Sequence, residues 1–455
     1  MEKSLNKNTL KYKHKGTIGI IGSAIHVAEL NKMIIKYANF IGLDDDQYIP
    51  EILAVGINTE DADYIKDMAR LCSDYGCDEI AIADVTTGAE DFVKTLSREL
   101  STPIFGCNYG ETKTQLAKLA KTMVDNAINK KTSLISRPKL TYTKSDTPAE
   151  HASNDEDIER NLCEDTYLRF ARIKHRMKHG GYPILYPSTG YGGRFVGIIG
   201  GSGPLASAEL SFKFAKRGIP FIHCSVNSAP GRLLYEQGLG PSYVKHYKNA
   251  VDFLTRIGAE VLAIPCNTAH KRLSEFCDER SIGKVVDICK TTLDETRERR
   301  SILLGTPTTG VNSGSSSIGI YEKYRREYYS NSGDFILPNP QQQDTITEAI
   351  FDVKAGELEL AKKKILKVIK EIRSRDRDKD FAESDLDRTS KIPVILASAE
   401  LVLPFTKLER ITYNSANPLQ LIANRVHTNF TKPSPSISPS ITTSEALIPL
   451  TRSKL

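Results

Sequence analysis

The stretch Val261-Leu262-Ala263-Ile264-Pro265-Cys266-Asn267-Thr268-Ala269-His270 puts a cysteine where an apolar run ends and a new element begins. Four consecutive apolar residues without alternation suit a strand buried on both faces, as in a parallel sheet. The residues after it predict a helix, with Thr268 a residue type that caps one. In open α/β sheets, ligands bind at the carboxyl ends of the strands. A helix start also favours the thiolate, because unpaired backbone N–H groups face the sulfur. Cys266 is therefore placed to act as a base or nucleophile, the plainer alternative being a packed, inert cysteine.

Upstream, Val196-Gly197-Ile198-Ile199-Gly200-Gly201-Ser202-Gly203-Pro204-Leu205-Ala206 reads as a second buried strand entering a glycine-rich turn. Pro204 suits the first helical position. The segment Gly201 to Ala206 also satisfies the dinucleotide pattern Gly-x-Gly-x-x-Ala. That use calls for an acidic residue about twenty positions further on, at the end of the next strand. The run Pro220-Phe221-Ile222-His223-Cys224-Ser225-Val226-Asn227 offers none. The turn is better suited to holding a carboxylate on the backbone N–H groups of a helix start.

Together, the two turns resemble those of the aspartate/glutamate racemase family, cofactor-independent enzymes with a glycine-glycine-x-glycine-proline-leucine-alanine turn and a proline-cysteine-asparagine-threonine turn. Three further segments are similar to the family's. Asn227-Ser228-Ala229-Pro230-Gly231-Arg232 resembles its loop ending in a carboxylate-binding arginine. Gly305-Thr306-Pro307-Thr308-Thr309-Gly310-Val311-Asn312-Ser313-Gly314, followed by Tyr321, resembles its threonine-rich loop and tyrosine. Ile395-Leu396-Ala397-Ser398-Ala399-Glu400-Leu401 falls at its second glycine-cysteine-threonine-glutamate turn. The likeness covers roughly residues 195–425.

The resemblance implies an α/β fold: a pair of parallel-sheet α/β halves meeting at a cleft. It implies an acidic amino acid or small dicarboxylate as substrate, no cofactor and no metal, and a homodimer. By it, Cys266 and Ser398 face the two sides of Cα as the catalytic pair. Ser202, Arg232, Asn267, Thr268 and Thr309 bind carboxylates. By position rather than resemblance, His270, one helical turn beyond Cys266, is placed either to steady the thiolate or to pack as a satisfied core histidine, and Glu400 to support Ser398. Tyr321 reads as core or rim.

The departure lies at Ser398, where the family carries its second cysteine, with Ala397 and Ala399 replacing the adjoining glycine and threonine. A thiol, with a pKa of about 8.5, can take or give a proton near neutrality. A serine hydroxyl needs an adjacent base. Glu400 lies two residues on, facing the same side only approximately if the strand continues. Three readings stand: a racemase impaired on its second face, a one-cysteine isomerase or decarboxylase of a small dicarboxylate, and a non-catalytic ligand-binding or interaction protein.

A chain of 455 residues, 40% hydrophobic and 26% charged, has the make-up of a globular protein with two to four domains. The net charge of +6 is small for this length. Basic residues gather at Lys3 to Lys15 and along Arg169, Arg172, Lys174, Arg176 and Lys178 without interleaved aromatics, so solvated faces are expected rather than a nucleic-acid site. No apolar leader follows Met1, which points to a cytoplasmic protein without a membrane segment. The eight cysteines lack paired metal-ligand spacing and are expected to be reduced.

The chain also reads as a duplication. Thr17-Ile18-Gly19-Ile20-Ile21-Gly22 parallels Phe195 to Gly200, and each is followed by a helix containing Ala-Glu-Leu. Gly76 to Thr87 parallels Gly258 to Ala269, which puts Asp84 at the place of Cys266. Residues 16–125 are thus expected to be a degenerate α/β half-domain without the chemistry, stacked on the racemase-like domain at 195–430. Around these lie a polar N-terminal tail at 1–15, a charged linker at 126–194 with a helix from Glu164 to Lys178, a charged insertion at 373–391, and a disordered Ser/Pro-rich tail at 431–455.

Overall fold

Short apolar runs buried on both faces become the strands of parallel sheets. β1 (Thr17–Gly22), β2 (Glu51–Gly56), β3 (Glu79–Val85) and β4 (Ile104–Asn108) pair in parallel in the order β4-β3-β1-β2. β5 (Val196–Gly200), β6 (Phe221–Ser225), β7 (Val261–Ala263) and β8 (Val285–Val286) repeat that pattern as β6-β5-β7-β8. β9 (Ser301–Leu304), β10 (Phe335–Ile336), β11 (Val394–Leu396) and β12 (Ser415–Ala416) repeat it again in a separate sheet, β10-β9-β11-β12. The first strand of each unit lies between its second and third, so β7 and β11 hold corresponding places.

This computed structural model describes residues 16–40, 50–56, 62–85, 90–108, 113–129, 194–201, 203–227, 229, 242–296, 300–309, 319–329, 334–380, 392–405 and 414–431. The expected N-terminal tail, the expected helix from Glu164 to Lys178, nearly all of the linker and the Ser/Pro-rich end lie outside the described residues. Ser202 and Arg232 lie outside them too. The α/β fold with parallel sheets is as the sequence indicated. No described helix is long and apolar enough to cross a membrane.

The first two units are not stacked. They join edge to edge in one eight-stranded sheet, through antiparallel pairing of β2 with β6. Within the units, Ile18 pairs with Ile52 and Val196 with Phe221, which makes Ala54 the counterpart of His223. At the junction Ile52 faces Ser225, Ala54 faces His223 and Gly56 faces Phe221. This register maps onto itself when the units are exchanged, so a local two-fold axis passes between Ala54 and His223.

The helices that follow β1 and β5, Ala24–Phe40 and Pro204–Ala215, pack on each other across this axis. Their eighth residues, Asn31 and Ser211, both reach the His223 ring: Asn31 Nδ2 lies 3.1 Å and Ser211 Oγ 3.2 Å from Nδ1. Lys32 Nζ meets Glu209 Oε2 at 2.6 Å beside them.

The repeat extends to the helix-to-strand turns. Gly76 and Gly258 adopt φ of 93° and 97°, left-handed values that close the preceding helices. Cys77 N bonds Cys72 O at 2.9 Å and Ala259 N bonds Leu254 O at 2.9 Å; Asp78 N then reaches Thr17 O as Glu260 N reaches Phe195 O. The pairing of Ala81 with Ile20 and of Ala263 with Ile198 carries the count three residues on to Asp84 and Cys266. The units differ after their first strands: one residue, Ser23, separates Gly22 from the following helix, whereas residues 201–203 separate Gly200 from Pro204.

Alternate strand positions face opposite sides. Ile18, Ile20, Ile52, Ala54, Val196 and Ile198 belong to one core layer, and Ile21, Leu53, Val55, Ile199 and Ile222 to the other. The first layer also takes in Leu303, Ile395 and Ala397, which ties the small sheet to the large one. The second half's outer core includes Ile346, Ile350, Ile365, Ile369 and Ile372. The helix carrying the last three, Leu358–Asp380, runs on through the first eight residues of the expected charged insertion. A run of charged residues does not oppose a helix already nucleated by an apolar stripe, and Arg373 and Arg375 are tied back to the Ile392 and Leu337 carbonyls.

His223 is fully buried, which pushes its imidazole down to about 3, from about 6.5 in an unfolded chain. The native state therefore holds a neutral ring that the unfolded state protonates first. Its contribution to stability is present above pH about 6.5 and is lost as the pH falls towards about 3, by up to about 1.4 kcal/mol per pH unit. His223→Gln is expected to flatten the fall of the urea midpoint between pH about 7 and 5 by close to one proton's slope.

Candidate active site

β7 stops at Ala263, and Cys266 N turns back to Ile264 O at 2.8 Å around Pro265. The helix expected next is a 3-10 turn, Thr268–Arg272, followed by the single α-turn Leu273–Phe276. So short an element has little dipole of its own to set against the sulfur. Ala269 N lies 3.2 Å from Cys266 Sγ and donates to it. The side chain keeps 8% of its surface exposed.

His270 is fixed by backbone on both nitrogens. Nδ1 donates to Cys266 O at 2.8 Å, which leaves Nε2 to accept from Ile288 N at 3.4 Å. These two bonds make it a brace for the Cys266 backbone. Burial pushes the Cys224 and Cys289 thiols well up and Cys277 to about 12, so these three stay protonated and poorly nucleophilic at neutral pH.

Threonines link the ends of β7 and β9. Thr268 Oγ1 lies 3.3 Å from Thr306 Oγ1, which lies 2.9 Å from Thr308 Oγ1. Thr309 Oγ1 donates to Thr306 O at 2.8 Å. Gly305 allows this approach, because a Cβ there would sit 2.3 Å from Thr309 Oγ1 and 3.0 Å from Ala397 O. Gly305 thereby lies between Thr309 and Ala397, the residue that precedes Ser398. Asn267 is 2% exposed, and Tyr321, fully buried, donates from its hydroxyl to Asn267 Oδ1 at 2.9 Å.

At the end of β11, Ser398 Oγ donates to Glu400 Oε2 at 2.6 Å, with both side chains buried. The strand has ended at Leu396 and Glu400 opens a 3-10 turn, so strand alternation no longer governs which way it points. The carboxylate lies against the start of the helix Pro204–Ala215: a Cβ on Gly203 would be 2.2 Å from Oε1. The glycine turn that sequence suited to a substrate carboxylate thus already has one of the chain's own carboxylates beside it.

Among the described residues, the structure links Thr268 to Thr309 through Thr306 after β9, and Ser398 to Glu400 after β11, the strand paired with β9, while Cys266 and Asn267 come just before Thr268 in sequence. Thr306, Thr308 and the bond from Tyr321 are additions that residue-by-residue reading did not single out; the density of threonines between 306 and 309 was the available signal.

No family model matches the chain. An aspartate racemase from Picrophilus torridus superposes with a TM-score of 0.41 and 22% identity, over 52% of this chain and 94% of that one. A putative Asp/Glu racemase from Yersinia pestis does so with a TM-score of 0.40 and 17% identity, over 52% of this chain and 100% of that one. At that level of superposition neither neighbour decides what this chain does.

Gly201 has φ of +113°, and a Cβ on it would meet the Val226 carbonyl carbon at 2.4 Å. Backbone cannot yield as a side-chain tip can, so Gly201→Ala is expected to cost at least about 3 kcal/mol in chemical denaturation. Gly218, at φ +68° with nothing within 4 Å of such a Cβ, is the control: Gly218→Ala is expected to cost about 1 kcal/mol.

Proposed function

We propose that this protein exchanges the Cα proton of an acidic amino acid between two faces, working as a racemase of the aspartate/glutamate type without pyridoxal phosphate or metal. The observation that carries the reading is the 2.6 Å bond from Ser398 Oγ to Glu400 Oε2 at the end of β11, the strand that corresponds to the one ending at Cys266. It supplies the base that a serine in place of a thiol requires.

In this reading Ser398 Oγ takes the Cα proton as its own proton passes to Glu400, and the Cys266 thiol delivers a proton to the opposite face. The chain is left with a Cys266 thiolate and a protonated Glu400, the form that turns over the other enantiomer and restores the first. Each turnover breaks one Cα–H bond and forms one, with no net gain of protons. Thr268 and Asn267 hold carboxylate oxygens, with Ser202, Arg232 and Thr309 assigned the same work by the resemblance; Arg232 would grip its carboxylate bidentately. His270 steadies the Cys266 backbone.

The N-terminal unit has a different part in this proposal. It lies on the β6 edge in the arrangement that a second copy of the second unit would take, and so stands in for a homodimer partner there. The position corresponding to Cys266 holds Asp84, and its turn after β1 is two residues shorter, which leaves it without the proposed chemistry.

Hydrogen–deuterium exchange at Cα of L- and D-aspartate and glutamate, followed by proton NMR, tests the reading. Exchange with inversion is expected in the native chain and is expected to vanish in Cys266→Ala. Glu400→Gln is expected to slow it by about 100-fold or more, a typical loss for a general base. Ser398→Cys is expected to raise the rate and to make it insensitive to Glu400→Gln. Exchange on one face without inversion would favour a one-cysteine reaction on a dicarboxylate, and binding without exchange a ligand-binding protein.

A further inference from the structure

Asn267 is nearly inaccessible to solvent, yet its Nδ2 has no hydrogen-bond partner among the described residues. A buried amide N–H2 left without an acceptor carries its full desolvation cost, and native structures rarely tolerate one without a use. The other end of the same amide is held firmly. Tyr321 donates to Oδ1 at 2.9 Å, and the Cys289 sulfur lies 3.7 Å from the same oxygen. With Oδ1 accepting from the Tyr321 hydroxyl, the N–H2 lies at the other end of the amide. Tyr321 is in turn immobile: its ring packs edge-on to Phe335, with centroids 6.4 Å apart, and its surface is fully buried.

We propose that Tyr321 is a positioning residue that locks the Asn267 amide so that its N–H2 meets a carboxylate of the substrate beside Cys266. The proposal rests on the reading of the site as one for Cα proton transfer. As the Cα proton leaves, negative charge moves onto the α-carboxylate oxygens, so a donor fixed there holds the transition state more tightly than the ground state. A donor free to rotate would give part of this back on reorienting. The work of Tyr321 is therefore expected to appear in kcat more than in KM, and to depend wholly on Asn267.

The experiment is a double-mutant cycle on the full chain, reading Cα exchange of aspartate in deuterium oxide with Tyr321→Phe, Asn267→Ala and both together. Phe keeps the ring and its packing, and urea denaturation of each variant checks that the fold is retained. Tyr321→Phe is expected to lower kcat by about 10- to 100-fold with KM changed far less, the range for a hydrogen bond to a charged group. Added to Asn267→Ala, it is expected to do nothing beyond about twofold. A Tyr321→Phe variant as active as the native chain overturns the proposal while leaving the proposed function standing. Losses that multiply in the double variant also overturn it, since Tyr321 would then act independently of Asn267. Absence of Cys266-dependent exchange in the native chain overturns the proposed function and this inference with it.

Discussion

The antiparallel ladder between β2 and β6 is the contact on which the molecule's organisation turns. Each of its strands would otherwise be an edge, with a row of unpaired N–H and C=O groups open to any passing chain. Joined, they place the two first-strand helices side by side, bury His223 on the local axis between Asn31 and Ser211, and make a single sheet of two units. Both helices meet at the same ring nitrogen, so one atom on the axis serves the two of them. Gly200 belongs to the same constraint, since a Cβ there would lie 2.4 Å from the His223 Nε2.

That constraint also separates a structural unit from the one bearing the proposed chemistry. Both have the same strand order and the same glycine-closed turns before their third strands. What the second unit adds is local: two more residues after its first strand and a cysteine after its third. The extra residues carry Gly203, which lets Glu400 approach the helix start from the third unit. The candidate site thus uses strand ends from the second and third units, and the first contributes by holding β6 in place.

Much of this was legible in the sequence, and the gaps have physical causes. Unbroken apolar runs gave β5, β7 and β11, because a strand covered on both faces has no room for polar residues. The alignment of Gly76 with Gly258 was visible because both need the left-handed conformation. The edge pairing was hidden: Glu51 to Gly56 carries no motif, and nothing local says which strand lies beside it. The direction of Glu400 could not be read either, since it depends on where β11 stops, and Leu396 is followed by a 3-10 turn rather than more strand. The bond from Tyr321 to Asn267 spans 54 positions and joins a loop to a helix, a distance over which periodicity is silent.

The late closure of the central ladder has a consequence for how the chain comes into being. Ile52 meets Ser225, a separation of 173 positions (225 − 52), so the N-terminal unit emerges from the ribosome and assembles its four strands long before β6 exists. At about 5–20 residues per second, β2 stays uncovered for roughly ten to thirty seconds, a flat apolar edge of the kind that chaperones hold and that aggregates recruit.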